Sequence, residues 1–255
     1  MKTTLPVDWR VSEREGGLSF RWGTCGEELV AEWGGVLTLH ATAAGQLKSW
    51  EGVAGASEDL VEKTRRGVAT AFLRALRQQH SLHASSVAWD GVALVCVGDS
   101  GAGKSTVAER LCRREGVELL ADDTAAIDLP ADGGALHVVP TESTLWLASD
   151  ASEGKTADRS RHAARGPVAL RWVAALAFND SHMLEVRELR GADAVAALLP
   201  SLLRFQRTEG QWERELDFVS RLVAQCRVLR ATRSRDVTAE AVADALQQLA
   251  ERETG

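Results

Sequence analysis

"HASSVAWDGVALVCVGDSGAGKST", residues 83–106, decides the fold. Two apolar segments, SSVAW and VALVCV, meet at Asp90-Gly91, a pair that tolerates the two positive φ angles of a type I′ hairpin turn. The second segment runs directly into Gly98-Asp99-Ser100-Gly101-Ala102-Gly103-Lys104-Ser105, the pattern G-x-x-x-x-G-K-S, and STVAERLCRRE then reads as a helix ended by Gly116. In such a loop small residues let successive backbone N–H groups point inward at phosphate oxygens, and the following helix adds the positive end of its dipole. Lys104 would neutralise the outer phosphates and the Ser105 hydroxyl would hold Mg²⁺. Gly98, Asp99, Ser100, Gly101, Ala102, Gly103, Lys104, Ser105 and Thr106 are therefore the candidate nucleotide-binding residues.

Outward toward the C-terminus, VELLADD (117–123) is a short apolar strand that delivers two acids, Asp122 and Asp123. Adjacent acids at a strand end point in different directions, so one can hold metal while the other faces an incoming nucleophile as general base. The plainer alternative is that one of them only turns the chain toward Thr124. AAIDL and ALHVV predict another hairpin. Residues 149–167, SDASEGKTADRSRHAARGP, are polar without a period and read as a loop. Lys155, Arg159, Arg161, His162 and Arg165 could fold from it over phosphates, or simply be solvated. Beyond it, VALRWVAALAF, LEVREL and RVLRA read as strands, ADAVAALLPSLLRFQ as a helix bent by Pro200, and WERELDFVSRLVAQ and TAEAVADALQQLAE as helices.

Toward the N-terminus the pattern changes. Up to about residue 50, short alternating segments such as LSFRW, with Leu18, Phe20 and Trp22 on one side, predict an antiparallel meander. Residues 58–79 place Leu60, Val61, Thr64, Val68, Phe72, Ala75 and Leu76 on one helical stripe, with Ser57 as a cap. The chain thus reads as a β-rich lead-in with an amphipathic helix over 1–80 and a P-loop domain over 81–255, packed as one compact unit.

Composition narrows the function classes. The 255 residues carry a net charge of -6, and the basic ones are scattered, so no electrostatic footprint for nucleic acid is expected. No apolar run is long enough to cross a bilayer, and MKTTLPVDWRVSEREGG lacks a secretory apolar core, so no membrane partner and a cytoplasmic location are expected. Cys25, Cys96, Cys112 and Cys226 lie far apart, as reduced packing thiols do. The N-K-x-D and D-x-x-G motifs of guanine-nucleotide switches are absent, as is the L-S-G-G-Q signature of transporter ATPases.

LHASSVAWDGVALVCVGDSGAGKSTVAERL and GVELLADD together resemble the HPr kinase/phosphorylase superfamily, including its serine-kinase-like relatives encoded beside peptide-modifying enzymes. Those proteins carry a His a fixed distance before a G-D-S-G-x-G-K-S cradle and a strand ending A-D-D. Here His83 stands fifteen residues before Gly98, and Ala121-Asp122-Asp123 closes the strand. The resemblance implies a P-loop kinase core of the HPr kinase C-terminal-domain type, α/β with a mixed sheet. It also implies phosphoryl transfer from ATP, with Mg²⁺, to a serine-type hydroxyl on a peptide, protein or small metabolite. In its terms Asp123 is the catalytic acid/base, Lys104 binds phosphate, and His83 stands beside the transferred group. Ser105 and Asp122 serve Mg²⁺. Read without the family, His83 is a satisfied histidine near a strand start. Thr106 stands where the bifunctional enzymes carry Glu, so the forward chemistry carries over and the HPr substrate does not. The resemblance also allows a homo-oligomer. The alternative function is a non-catalytic ATP-binding accessory or sensor subunit of a modifying system.

Overall fold

The structure, a computed structural model, describes residues 7–15, 18–130, 133–141, 144–148, 155–159, 164–180, 183–205 and 209–254. The chain divides into two units, residues 1–79 with 204–207, and residues 80–203 with 208–255.

The first unit is a meander of β1 (Asp8–Glu15), β2 (Leu18–Cys25), β3 (Glu28–Trp33), β4 (Leu37–Thr42) and β5 (Leu47–Gly52), each antiparallel to its chain neighbour. Alternation sets its inner face: Phe20 and Trp22 on β2, Trp33 on β3, and Leu37 and Leu39 on β4 are buried. A helical segment follows as α1 (Glu58–Thr64), a π-helical turn (Arg65–Ala69) and α2 (Thr70–Leu76). The Ser57 Oγ cap accepts from the Leu60 N–H, so the predicted start is right, but the single expected helix is widened around the buried Gly67. Phe72 is the hub of the core, with ring centroids 5.6 Å from Phe20, 6.1 Å from Trp33 and 5.5 Å from Phe205. Trp22 satisfies its indole by donating to the Phe205 carbonyl at 3.1 Å.

The second unit contains β6 (Ser81–Leu82), β7 (Ala84–Trp89), β8 (Val92–Val97), α3 (Lys104–Cys112), β9 (Glu118–Ala121), β10 (Ala125–Asp128), β11 (His137–Val139), β12 (Thr144–Ala148), β13 (Lys155–Arg159), β14 (Val168–Phe178), β15 (Glu185–Leu189), α4 (Gly191–Leu198), α5 (Gln211–Gln225), β16 (Arg227–Arg233) and α6 (Ala239–Thr254). A mixed nine-stranded sheet runs β6-β10-β11-β14-β8-β7-β9, with β16 also on β14 and β15 on β16. Its centre is parallel: β14 pairs β8 on one side and β16 on the other. The β7–β8 hairpin closes through Asp90 (φ 51°) and Gly91 (φ 75°), the left-handed pair its turn chemistry requires.

Both faces of this sheet are covered, which is why its central strands are continuously apolar. Leu94 and Cys96 of β8 face a layer containing Val107 and Leu111 of α3 and Val242 and Leu246 of α6. Ala93, Val95 and Val97 face the opposite layer, with Ala194 and Leu198 of α4 and Phe218 and Leu222 of α5. Two expectations are corrected here. Pro200 does not bend a longer helix: α4 ends at Leu198 and Pro200 sits in a 3₁₀ turn, Leu199–Ser201, because a proline ring cannot continue the hydrogen-bond ladder. The polar stretch 149–167 is not all loop, because Lys155–Arg159 pairs antiparallel with Thr144–Ala148. Arg161 and His162 lie outside the described residues. Among the described residues no helix is long and apolar enough to cross a membrane.

Candidate active site

Strand direction brings the predicted residues together. β8, β14 and β16 run parallel, so the chain leaving Val97, Phe178 and Arg233 emerges at one edge of the sheet. β7 is antiparallel to β8 with Ala84 opposite Val97, so His83 enters at the edge where Gly98 leaves. β9 is antiparallel to β7, with Ala121 opposite Ser86, so Asp122 and Asp123 emerge there too. Register alone thus places His83, the Gly98–Thr106 loop and the two acids along one edge.

The loop itself is shaped by its glycines. Gly98 has φ 142°, and a Cβ there would stand 2.4 Å from the Leu176 carbonyl oxygen of β14, so only glycine lets the loop leave between two parallel strands. Gly103 (φ 96°) is the N-cap of α3, whose first hydrogen bond runs from the Val107 N–H to the Gly103 carbonyl at 2.8 Å. Ala102 is buried in the α3–α6 layer and anchors the loop from behind, while Asp99, Ser100 and Gly101 are exposed. Ser105 and Thr106 are half-buried in the first turn of α3. Lys104 is buried, and its ammonium donates to the Gly98 carbonyl at 2.8 Å and the Asp99 carbonyl at 3.1 Å. A buried cation held by its own loop's carbonyls marks the loop's interior as a place for anionic oxygens.

The two acids differ in environment. Asp122 is 1% exposed, and its Oδ1 accepts from the hydroxyl of Ser85, itself fully buried on β7, at 2.5 Å. Asp123 is half-buried and has φ 72°, a left-handed conformation that non-glycine residues adopt seldom and at a cost. The turn behind it is pinned by the Thr141 hydroxyl, which donates to the Thr124 carbonyl at 3.1 Å. His83 is half-buried, and its backbone N–H donates at 2.7 Å to the carbonyl of Ser201, the last residue of the Pro200 turn.

Burial holds the neighbouring thiols in the protonated form. Burial pushes Cys96, directly before the loop in β8, up to about 12. Cys112, at the end of α3, is also pushed up to about 12 by burial first and then by the charges of Asp122 and Glu109. Among the described residues no group of three or more His, Cys, Asp or Glu could cage a metal. The glycine cradle, the buried Lys104, Ser105 on the first turn of α3 and the buried Asp122 fit a Mg²⁺–nucleotide.

Sequence reasoning missed two residues at this edge. Ser85 is one of two serines in an apolar strand, and nothing local marks it as the partner of Asp122. Arg233 lies 130 positions beyond Gly103, yet its Nη2 stands 2.8 Å from where a Gly103 Cβ would be. Only the parallel pairing of β14 with β16 brings it there.

A family model described as an AAA domain matches residues 94–198, from within β8 to the end of α4. A solved structure to which the chain is similar is the HPr(Ser) kinase/phosphatase from Coxiella burnetii, at 12% identity over 69% of this chain and 99% of that one, with a TM-score of 0.41. No curated protein matches the chain. The second unit is an α/β P-loop nucleotide-binding core with a mixed sheet.

Proposed function

We propose that the protein binds ATP with Mg²⁺ on the Gly98–Thr106 loop and transfers the γ-phosphoryl group to a serine-type hydroxyl of a peptide, protein or small metabolite. The observation that carries this reading is the left-handed Asp123, held at the sheet edge that also bears the loop and His83. A carboxylate presented at the same edge as a phosphate-binding loop stands where a general base for phosphoryl transfer is needed.

In this reading the backbone N–H groups of the loop and Lys104 hold the triphosphate in place. Lys104 exchanges its two loop carbonyls for phosphate oxygens. Ser105 and Asp122 would hold Mg²⁺, which would supply charge neutralisation on the outer phosphates. Asp123 accepts the acceptor hydroxyl's proton as the new P–O bond forms and the bond to the β-phosphate oxygen breaks, releasing ADP. His83, with its backbone tied to Ser201, stands beside the transferred group. The resemblance to the serine-kinase-like relatives supports a serine-type acceptor and allows a homo-oligomer.

The test is transfer of labelled γ-phosphate from ATP, with and without Mg²⁺, to serine-containing peptides, small proteins and free serine, comparing wild type with Asp123→Asn. Wild-type labelling that vanishes in a variant with unchanged ATP affinity supports the kinase. Equal ATP binding with no labelling by either protein overturns it in favour of an ATP-sensing accessory subunit.

A further inference from the structure

At the end of β16 a guanidinium faces the phosphate loop. Arg233 is half-buried, and its Nη2 lies 2.8 Å from the position of a Gly103 Cβ, so it crowds the residue that opens α3. Among the described residues no carboxylate pairs with it, and its Nη1 donates to the Val237 carbonyl. Burial accordingly holds its pKa below the usual arginine value.

Its surroundings fix it rather than neutralise it. Arg233 lies opposite Phe178 in the β14–β16 register, and its guanidinium sits 4.9 Å from that ring's centroid. A second guanidinium, Arg235, also lies 4.9 Å from the same ring, and it too lacks a described carboxylate partner. The Asn179 N–H donates to the Arg233 carbonyl at 2.9 Å, tying the two strand ends together. The side-chain oxygens of Asn179 and Ser234 are buried there without a hydrogen-bond partner. Two guanidiniums on one ring, the nearer of them against Gly103 of an anion-binding loop, suit an anionic ligand.

We propose that Arg233 is a second cationic ligand of the nucleotide's phosphates, delivered from β16 against Gly103 while Lys104 acts from within the loop. The inference rests on the nucleotide reading of that loop. A guanidinium suits the role because it stays charged when half-buried and presents its donors in a planar fork that fits phosphate oxygens. Preorganisation on Phe178 and the Val237 carbonyl means that little side-chain entropy is lost when the ligand arrives.

The experiment is calorimetric titration of the full chain with Mg²⁺–ATP for wild type, Arg233→Met and Arg233→Lys, with unliganded thermal unfolding recorded alongside. A charge-assisted contact to phosphate predicts about tenfold or more weakening in Arg233→Met, with a shallower salt dependence. Arg233→Lys should recover part of the loss, and the unliganded Arg233→Met should melt no earlier than wild type. Unchanged ATP affinity in Arg233→Met overturns the proposal. So does equal weakening in Met and Lys accompanied by a lower melting temperature, which would make Arg233 a prop for the loop. Failure of the wild type itself to bind ATP would instead overturn the nucleotide reading.

Discussion

The hydroxyl of Ser85 on β7 and the carboxylate of Asp122 after β9 meet at 2.5 Å, with the residues 0% and 1% exposed. A buried carboxylate is tolerable only when its oxygens are satisfied, so Ser85 orients Asp122 from the sheet interior.

Ser85→Ala should therefore destabilise the chain by about 1–3 kcal/mol, the usual cost of removing one partner of a buried hydrogen bond. ATP affinity should fall more in the presence of Mg²⁺ than in its absence, because the orientation lost is that of the acid proposed to hold the metal. Urea unfolding and titrations with and without Mg²⁺ measure the two effects. An unchanged unfolding midpoint would show that the hydroxyl is dispensable.

Asp123 predicts an exchange of stability against activity. At φ 72° a glycine costs little, so Asp123→Gly should stabilise by up to about 1 kcal/mol while abolishing phosphoryl transfer. Asp123→Asn, which also tolerates the left-handed region, should leave stability within about 0.5 kcal/mol of wild type. A Gly variant that melts well below wild type would show that the side chain holds the turn.

The loop glycines should rank by their neighbours. Gly98→Ala would set a methyl group 2.4 Å from the Leu176 carbonyl and should cost more than about 2 kcal/mol, with parting of β8 from β14. Gly101 has φ 83° but nothing within 4 Å of its Cβ position, so Gly101→Ala should cost only about 1 kcal/mol. Equal melting temperatures for the two variants would contradict the close approach of β14.

The thiols set an alkaline limit. Cys96, Cys112 and Cys226 are each pushed from 9.0 up to about 12 by burial. Raised folded values mean that the unfolded chain loses these protons first. The stabilising contribution is therefore whole below pH 9 and is lost as pH rises from 9 toward 12. Denaturant midpoints measured across that range should fall, and these three thiols should resist iodoacetamide at pH 8 until the chain is unfolded. Rapid native alkylation of Cys96 would refute its burial.

Much of the site was legible in the sequence because its parts are local. The Asp90-Gly91 turn, the glycine loop and the strand ending in two acids each consist of neighbours in the chain, and turn chemistry with apolar runs reveals such units directly. The amphipathic stripe over 58–79 was equally legible, but its π-helical turn was not, since periodicity does not register one extra residue in a turn. Lys155–Arg159 escaped because its charged, polar residues show no apolar alternation, and its strand exists only through pairing with Thr144–Ala148.

By itself the sequence determined the P-loop, its supporting strand and helix, the delivery of Asp122 and Asp123, and a β-rich N-terminal stretch, all set by backbone preferences over a few residues. Only the tertiary structure decided that Ser85 serves Asp122, that Ser201 anchors His83 and that Arg233 stands against Gly103. Those partners lie 37, 118 and 130 residues apart, and the order and direction of strands in a sheet, which no local pattern encodes, is what brings them to one edge.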